Sequence, residues 1–269
     1  MSIKSKSTIA IIPVLFAIAT LFLAVAPPSG HAQAKAQVPR MVNGKPDFTG
    51  IWEHSNVGNL AANSDVCGGF SSAAGLDLSR PGCKNIGAGP LPYSEAGLAA
   101  KKAMAGVQQG EHCVPWGFVH LFGTPFPHGY VQSPERMIMV FEQDNAFMMV
   151  PTDGRELPKD LDPTWRGTSV GRWEGETLVV ETAGFNGISL LSGSDVNSDA
   201  MKVTQRMSYI DANHILDEIT MDDSKYYTKP FKNVRTFQRM KKGEEIYEYF
   251  CHENNRCENG KCTPSDVQK

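Results

Sequence analysis

Through the second half of the chain, apolar and polar residues alternate with a period of two, interrupted by short runs of turn-forming residues. Arg136 to Glu142 and Phe147 to Thr152 flank Gln143-Asp144-Asn145-Ala146. Lys202 to Ile210 and Ile215 to Met221 flank Asp211-Ala212-Asn213-His214, and Asn233 to Met240 and Glu245 to Cys251 flank Lys241-Lys242-Gly243-Glu244. Between the first two of these pairs lies Gly167 to Asn186. There a run closing on Trp173 meets the turn pair Glu174-Gly175 and then the β-branched run Thr177 to Thr182. Strand-like runs around short turns predict β-hairpins, here four in succession with the Trp173 hairpin in the middle of the sheet. Phe48-Thr-Gly-Ile-Trp-Glu53 reads as a further short strand, for about nine in all.

The parity of the alternation shapes the fold class. Val203, Gln205, Met207 and Tyr209 share one face, opposite Thr204, Arg206, Ser208 and Ile210; Val234, Thr236, Gln238 and Met240 oppose Arg235, Phe237 and Arg239. Neither face is purely apolar. A dry sandwich needs stricter alternation, so the expectation is all-β: an antiparallel meander closing into a lipocalin-like β-barrel with a mixed polar and apolar interior. Closure also hides the sheet edges. The region before the hairpins is loop-rich, Asn56 to Pro92 especially. One short helix is expected, N-capped by Ser94 and ending near Gly106. Cys113 to Tyr130, with its prolines, glycines and aromatics, reads as an ordered apolar loop.

The start of the chain is of another kind. Lys4 and Lys6 precede a charge-free run from Ile9 to Ala26, followed by Ser29-Gly30-His31-Ala32-Gln33-Ala34. This is the pattern of a secretory signal peptide over residues 1–34. An uncleaved anchor is the alternative, since the run is just long enough to span a bilayer; Pro13 and the small-residue exit favour cleavage. Residues 35–269 are then expected to form one barrel domain: a loop-rich cap (35–130), the barrel hairpins (131–256) and a disulfide-tied tail (257–269). The expected location is periplasmic or secreted. Six cysteines, at positions 67, 83, 113, 251, 257 and 262, are an even count in an exported chain and read as disulfides. Fifteen pairings are open; proximity favours Cys67–Cys83 and Cys257–Cys262, leaving Cys113–Cys251. A net charge of −3 without a basic run argues against nucleic acid as a partner. No second apolar segment is long enough to span a membrane.

Gly171-Arg-Trp-Glu-Gly-Glu-Thr-Leu-Val-Val180 lies between Thr152-Asp-Gly-Arg155 and Gly184-Phe185-Asn186. With Cys113-Val-Pro115 upstream and Cys251-His-Glu-Asn-Asn255 at the end, it resembles a group of exported bacterial proteins of unknown function. The resemblance covers about half of the mature chain and implies export and a hairpin-built fold; it carries no agreed activity. Asn197-Ser198-Asp199 and Gln205-Arg206 stand where it leads one to expect His-Ser-Asp and Glu-Arg, which implies an altered site.

No dinucleotide fingerprint, phosphate-binding loop or haem-attachment motif occurs, so cofactor-free acid–base chemistry is the expected class. Gly167-Thr-Ser-Val-Gly171 spells a nucleophile-elbow motif but leads into a hairpin where a helix is required. His128, held between Pro127 and Gly129 beside Tyr130, is the candidate proton carrier. Asp153, or Glu142 at a strand end, is its candidate carboxylate, and Arg155 the candidate stabiliser of negative charge. The bland account of Asp153 and Arg155 is a turn with an ion pair. Trp116, Phe126, Tyr130, Trp173, Met207 and Tyr209 are the candidate lining of a pocket for a small, largely apolar molecule. His112, His120 and His128, eight residues apart, form a weak alternative metal set. The resulting expectation is a lyase or isomerase without organic cofactor; a periplasmic carrier and a structural envelope protein are the alternatives. Oligomeric state stays open.

Overall fold

The computed structural model describes residues 37–54, 91–105, 114–192 and 195–250, and the backbone of 255–258 and 261–264. Contacts divide the chain into Met1–Lys35 and Ala36–Lys269, and all described residues belong to the second unit. The expected signal segment, His112, Cys67, Cys83, Cys113 and Cys251 lie outside the described residues.

Nine strands form one antiparallel, nearly closed barrel: β1 (Gly50–His54), β2 (His128–Ser133), β3 (Arg136–Phe141), β4 (Phe147–Pro151), β5 (Thr168–Glu174), β6 (Thr177–Ala183), β9 (Lys202–Asp211), β10 (His214–Asp222) and β11 (Phe231–Arg239). Between β6 and β9 a small two-stranded ribbon interrupts the meander, β7 (Leu190–Ser192) with β8 (Asp195–Val196). Each barrel strand pairs with its neighbours in chain order, and β1 pairs with β11, so the two ends of the meander meet. The gap falls in mid-chain, between β4 and β5, where no ladder forms. Even there the strands touch: a Cβ on Gly171 would lie 2.9 Å from Thr152 Cγ2 and 3.1 Å from Val150 Cγ1. Gly171 is a glycine because the neighbouring strand occupies the place of a side chain.

Period-two patterning puts Met137, Met139 and Phe141 of β3, Val203, Gln205 and Met207 of β9, and Ile215, Asp217, Ile219 and Met221 of β10 inside. The Trp173 hairpin lies at the edge of the sheet beside the gap, not in its middle, because β5 pairs with β6 alone. Glu174 pairs with Thr177 there, which shifts the expected turn by one residue, to Gly175-Glu176, and Gly175 takes φ +61°. The expected helix is α1 (Glu95–Ala103), with the Ser94 side chain accepting from the Gly97 amide.

Two elements differ from expectation. Glu245 to Phe250 is not a strand, because β11 has β10 on one side and β1 on the other and offers no free edge to a hairpin arm. The segment instead lies across the β3 end, where Glu142 accepts from the Tyr247 amide and Phe126 packs on Tyr249. The ninth strand begins inside the expected loop, at His128 to Tyr130, and runs on to Ser133, pairing with β1 and β3. The terminal ribbon of β12 (Asn255–Glu258) and β13 (Lys261–Pro264) sets the backbone of Cys257 opposite that of Cys262.

Aromatic side chains fill both ends of the barrel. At one, Phe48 is sandwiched between Trp173 and Tyr209, with ring centroids at 6.1 and 4.9 Å, and Trp52 Nε1 donates to the Phe48 carbonyl. The Arg239 guanidinium lies 4.3 Å from the Trp52 ring and donates to the Thr49 carbonyl and Tyr209 Oη. At the other, the short helix α2 (Phe118–Leu121) and Phe122 enter the barrel, all but His120 buried. No helix among the described residues is long and apolar enough to cross a membrane.

Candidate functional site

Between these aromatic ends a cluster of polar side chains is embedded in the otherwise apolar interior. Asp217 and Arg235 face each other on β10 and β11 as directly opposed residues, 0% and 3% exposed. Gln205, fully buried, lies diagonally across on β9, and Asn233 is next inward on β11. Arg235 NH1 donates to the Val119 carbonyl of α2 at 3.2 Å, so the helix that closes this end also anchors the guanidinium. Neither carboxylate oxygen of Asp217 has a hydrogen-bond partner among the described residues; nor do the Gln205 amide atoms or Arg235 Nε. Unpartnered polar atoms in a protein interior are costly and rare.

The electrostatics follow from burial. Desolvation pushes the Asp217 carboxyl up to about 7, against the opposing pull of Gln205 and of the Arg235 charge. Desolvation likewise lowers Arg235 to about 10, with Asp217 acting in the other direction. A carboxyl that titrates near neutrality beside a buried cation suits it to gaining and losing a proton.

His128 is also in this interior, enclosed by Phe122, Phe141, Phe237 and Tyr130, and its Nε2 lies 3.0 Å from Tyr130 Oη. Burial, with the charges of His54 and Arg235, holds its pKa well below the ordinary imidazole value. The same causes lower His54 to about 4 and His120 to about 3, burial in each case ahead of Arg235. Tyr130 is raised well above its ordinary value, by burial first and Asp217 second. Near neutral pH these are uncharged hydrogen-bonding groups.

The carboxylates expected beside His128 are elsewhere. Asp153 and Arg155 pair with each other in an exposed turn after β4, at 2.6 Å, the geometry of a Thr-Asp-Gly-Arg turn. Glu142 is occupied by the Tyr247 amide. Of the expected apolar lining, Trp173 and Tyr209 meet around Phe48, and Met207 lies inside opposite Asp217. Tyr130 meets His128, whereas Trp116 packs edge-on against His120 and Phe126 lies outside against Tyr249. The six do not line one pocket. Among the described residues no three His, Cys, Asp or Glu side chains are grouped to hold a metal. Ser169 of the elbow-like motif is buried in β5, 2.8 Å from Thr182 Oγ1, with no helix after it. Asn197 and Gln205, the positions that depart from the resembling group, are both buried.

Asp217 and Arg235 were missed in the sequence, although parity marks them. Asp217 shares its face with Ile215, Ile219 and Met221, and Arg235 shares its face with Phe237. A charged residue in phase with an apolar stripe is the available signal. Together the fold and this cluster define a nine-stranded antiparallel barrel with a charged interior. Comparison with protein-family models, curated proteins and solved structures gave no match.

Proposed function

We propose that this is an exported small-molecule protein whose barrel interior performs acid–base chemistry of the lyase or isomerase kind, without an organic cofactor. Asp217 is the proton-transferring group and Arg235 the stabiliser of developing negative charge, in the roles that the sequence pattern pointed to at Asp153, Glu142 and Arg155. His128 and Tyr130 form a neutral pair beside them. The observation that carries this reading is the fully buried Asp217 carboxylate, without a hydrogen-bond partner among the described residues and opposed to Arg235. A fold that retains such a group at a cost in stability does so most readily for function.

The aromatic closure of both barrel ends favours a second reading, a carrier that holds its ligand without converting it. Native mass spectrometry of the full-length chain, expressed with its N-terminal segment, tests the common part. The native protein retains a small molecule that Asp217→Asn loses; a native protein with no bound molecule, or equal retention in both, refutes the interior site. Incubating the extracted molecule with protein in deuterated water separates the two readings. Deuterium uptake at carbon that depends on Asp217 marks the enzyme, and binding without uptake marks the carrier.

A further inference from the structure

The open seam of the barrel holds a second group that the interior chemistry does not use. Where β4 and β5 part, a cleft of about 390 Å³ is lined by Phe147, Met148, Met149, Thr164, Trp165, Arg166 and the start of β5. That volume lies in the range of small-molecule sites. Phe147 and Met149 point outward and are 63% and 45% exposed, unusual for large apolar side chains on an unpaired edge strand. Met148 and Ser169, in the same wall, are buried and face the barrel interior.

Arg166 supplies the charge. Its Nε is buried without a hydrogen-bond partner, and no carboxylate lies within 4.0 Å of the guanidinium among the described residues. Burial lowers its pKa, and Asp144 is the acidic group that partly offsets this from a distance. The backbone around it is fixed. The Thr164 amide donates to the Gly184 carbonyl at 2.9 Å and its carbonyl accepts from the Asn186 amide at 2.8 Å, and Gly167 turns at φ +72° where a Cβ would meet the Ala183 carbonyl at 2.8 Å. Trp165 and Arg166 are therefore presented to the cleft from a braced segment.

We propose that the seam between β4 and β5 binds a small organic anion with an apolar body, such as an alkyl or aryl carboxylate. Arg166 holds the charged head, and Phe147, Met149 and Trp165 cover the body. The charge complementarity selects this occupant over an added peptide strand, which would use the edge amides of β4 and have no need of the guanidinium. The site uses none of the residues of the interior cluster, so the two readings stand or fall separately.

The test is fluorescence titration of the whole protein with the anionic probe 1-anilinonaphthalene-8-sulfonate, whose sulfonate stands in for a carboxylate, and with the uncharged N-phenyl-1-naphthylamine. Dodecanoate should displace both. Arg166→Met, which keeps the apolar stem, should weaken the anionic probe about tenfold or more, as expected for loss of a charge-assisted contact, and leave the neutral probe within about twofold. Arg166→Lys should recover part of the loss. Thr168→Trp, which fills the cleft, should abolish both, and Asp217→Asn should change neither. Undiminished anion binding in Arg166→Met, or undiminished binding of both probes in Thr168→Trp, overturns the proposal. Loss of both probes in Asp217→Asn would move the site into the barrel and overturn it as well.

Discussion

Removing the Asp217 charge should stabilise the protein, by an amount set by pH. The carboxyl is raised from its ordinary 3.8 to about 7 because the folded state buries it. Between those values the folded chain holds a proton that the unfolded chain has released, so stability falls as pH rises from about 4 to about 7. A difference of that size corresponds to roughly 4 kcal/mol, absent in acid and fully developed in mild alkali. Asp217→Asn cannot ionise and escapes the penalty. Its stability relative to the native protein should therefore improve by roughly 3 kcal/mol between pH 4.5 and pH 8. Urea denaturation at the two pH values reads this directly, as the change in the difference between variant and native. Any cost of the buried amide is common to both pH values and cancels. The buried histidines act with the opposite sign. His54, lowered to about 4, and His120, lowered to about 3, destabilise the fold as pH falls below 6.5, but equally in both proteins. A stability difference that is the same at pH 4.5 and pH 8 would refute the placement of an ionisable, desolvated carboxyl in the barrel.

Gly50 sits at φ +142°, and a Cβ there would collide with the Arg239 guanidinium. Gly50→Ala should cost about 2 kcal/mol or more by denaturation, since backbone strain and displacement of Arg239 act together. Gly154, at φ +88° with open space around it, should lose only about 1 kcal/mol on the same change. Asp223 accepts from the Ser198 amide and hydroxyl, both at 2.7 Å, and from the amides of Lys225 and Tyr226. Asp223→Ala leaves the buried Ser198 amide and hydroxyl without this acceptor and should lower stability by about 3 kcal/mol; a loss below about 1 kcal/mol would show that the hub carries no weight. Phe48→Ala should cost about 3–5 kcal/mol and raise the solvent exposure of Trp173, read as a red shift in its fluorescence.

How much of this was legible in the sequence depended on whether the deciding contact was local. The Trp173 hairpin and the Ser94 cap are specified by neighbouring residues, and the structure keeps both within a residue or so of the expected positions. The status of His128 and of Glu245 to Phe250 was decided at long range. His128 becomes strand because Trp52 and Phe141 lie on either side of it, while the alternating segment after Gly243 finds β1 already paired with β11. The interior charged pair shows the same division. Asp153 and Arg155 drew attention as a local motif, and their local motif is what they form. Asp217 and Arg235 become a pair only because β10 and β11 align in one register, which no short stretch displays.

A cylinder closed by hydrogen bonds on every side can be opened through its wall only by breaking a ladder. This one is two half-shells, strands β1 to β4 and the barrel strands from β5 to β11, joined by the β1–β11 ladder and merely leaning together at β4 and β5. Parting them at the seam separates the β5 backbone at Gly171 from the Val150 and Thr152 side chains that pack over it, and leaves every strand pair intact. The β1–β11 edge then works as the spine of a book. What resists the parting is packing and single side-chain bonds: the seam itself, Phe48 between Trp173 and Tyr209, Phe122 and His128 against Phe237, and the bond from Arg235 to the Val119 carbonyl.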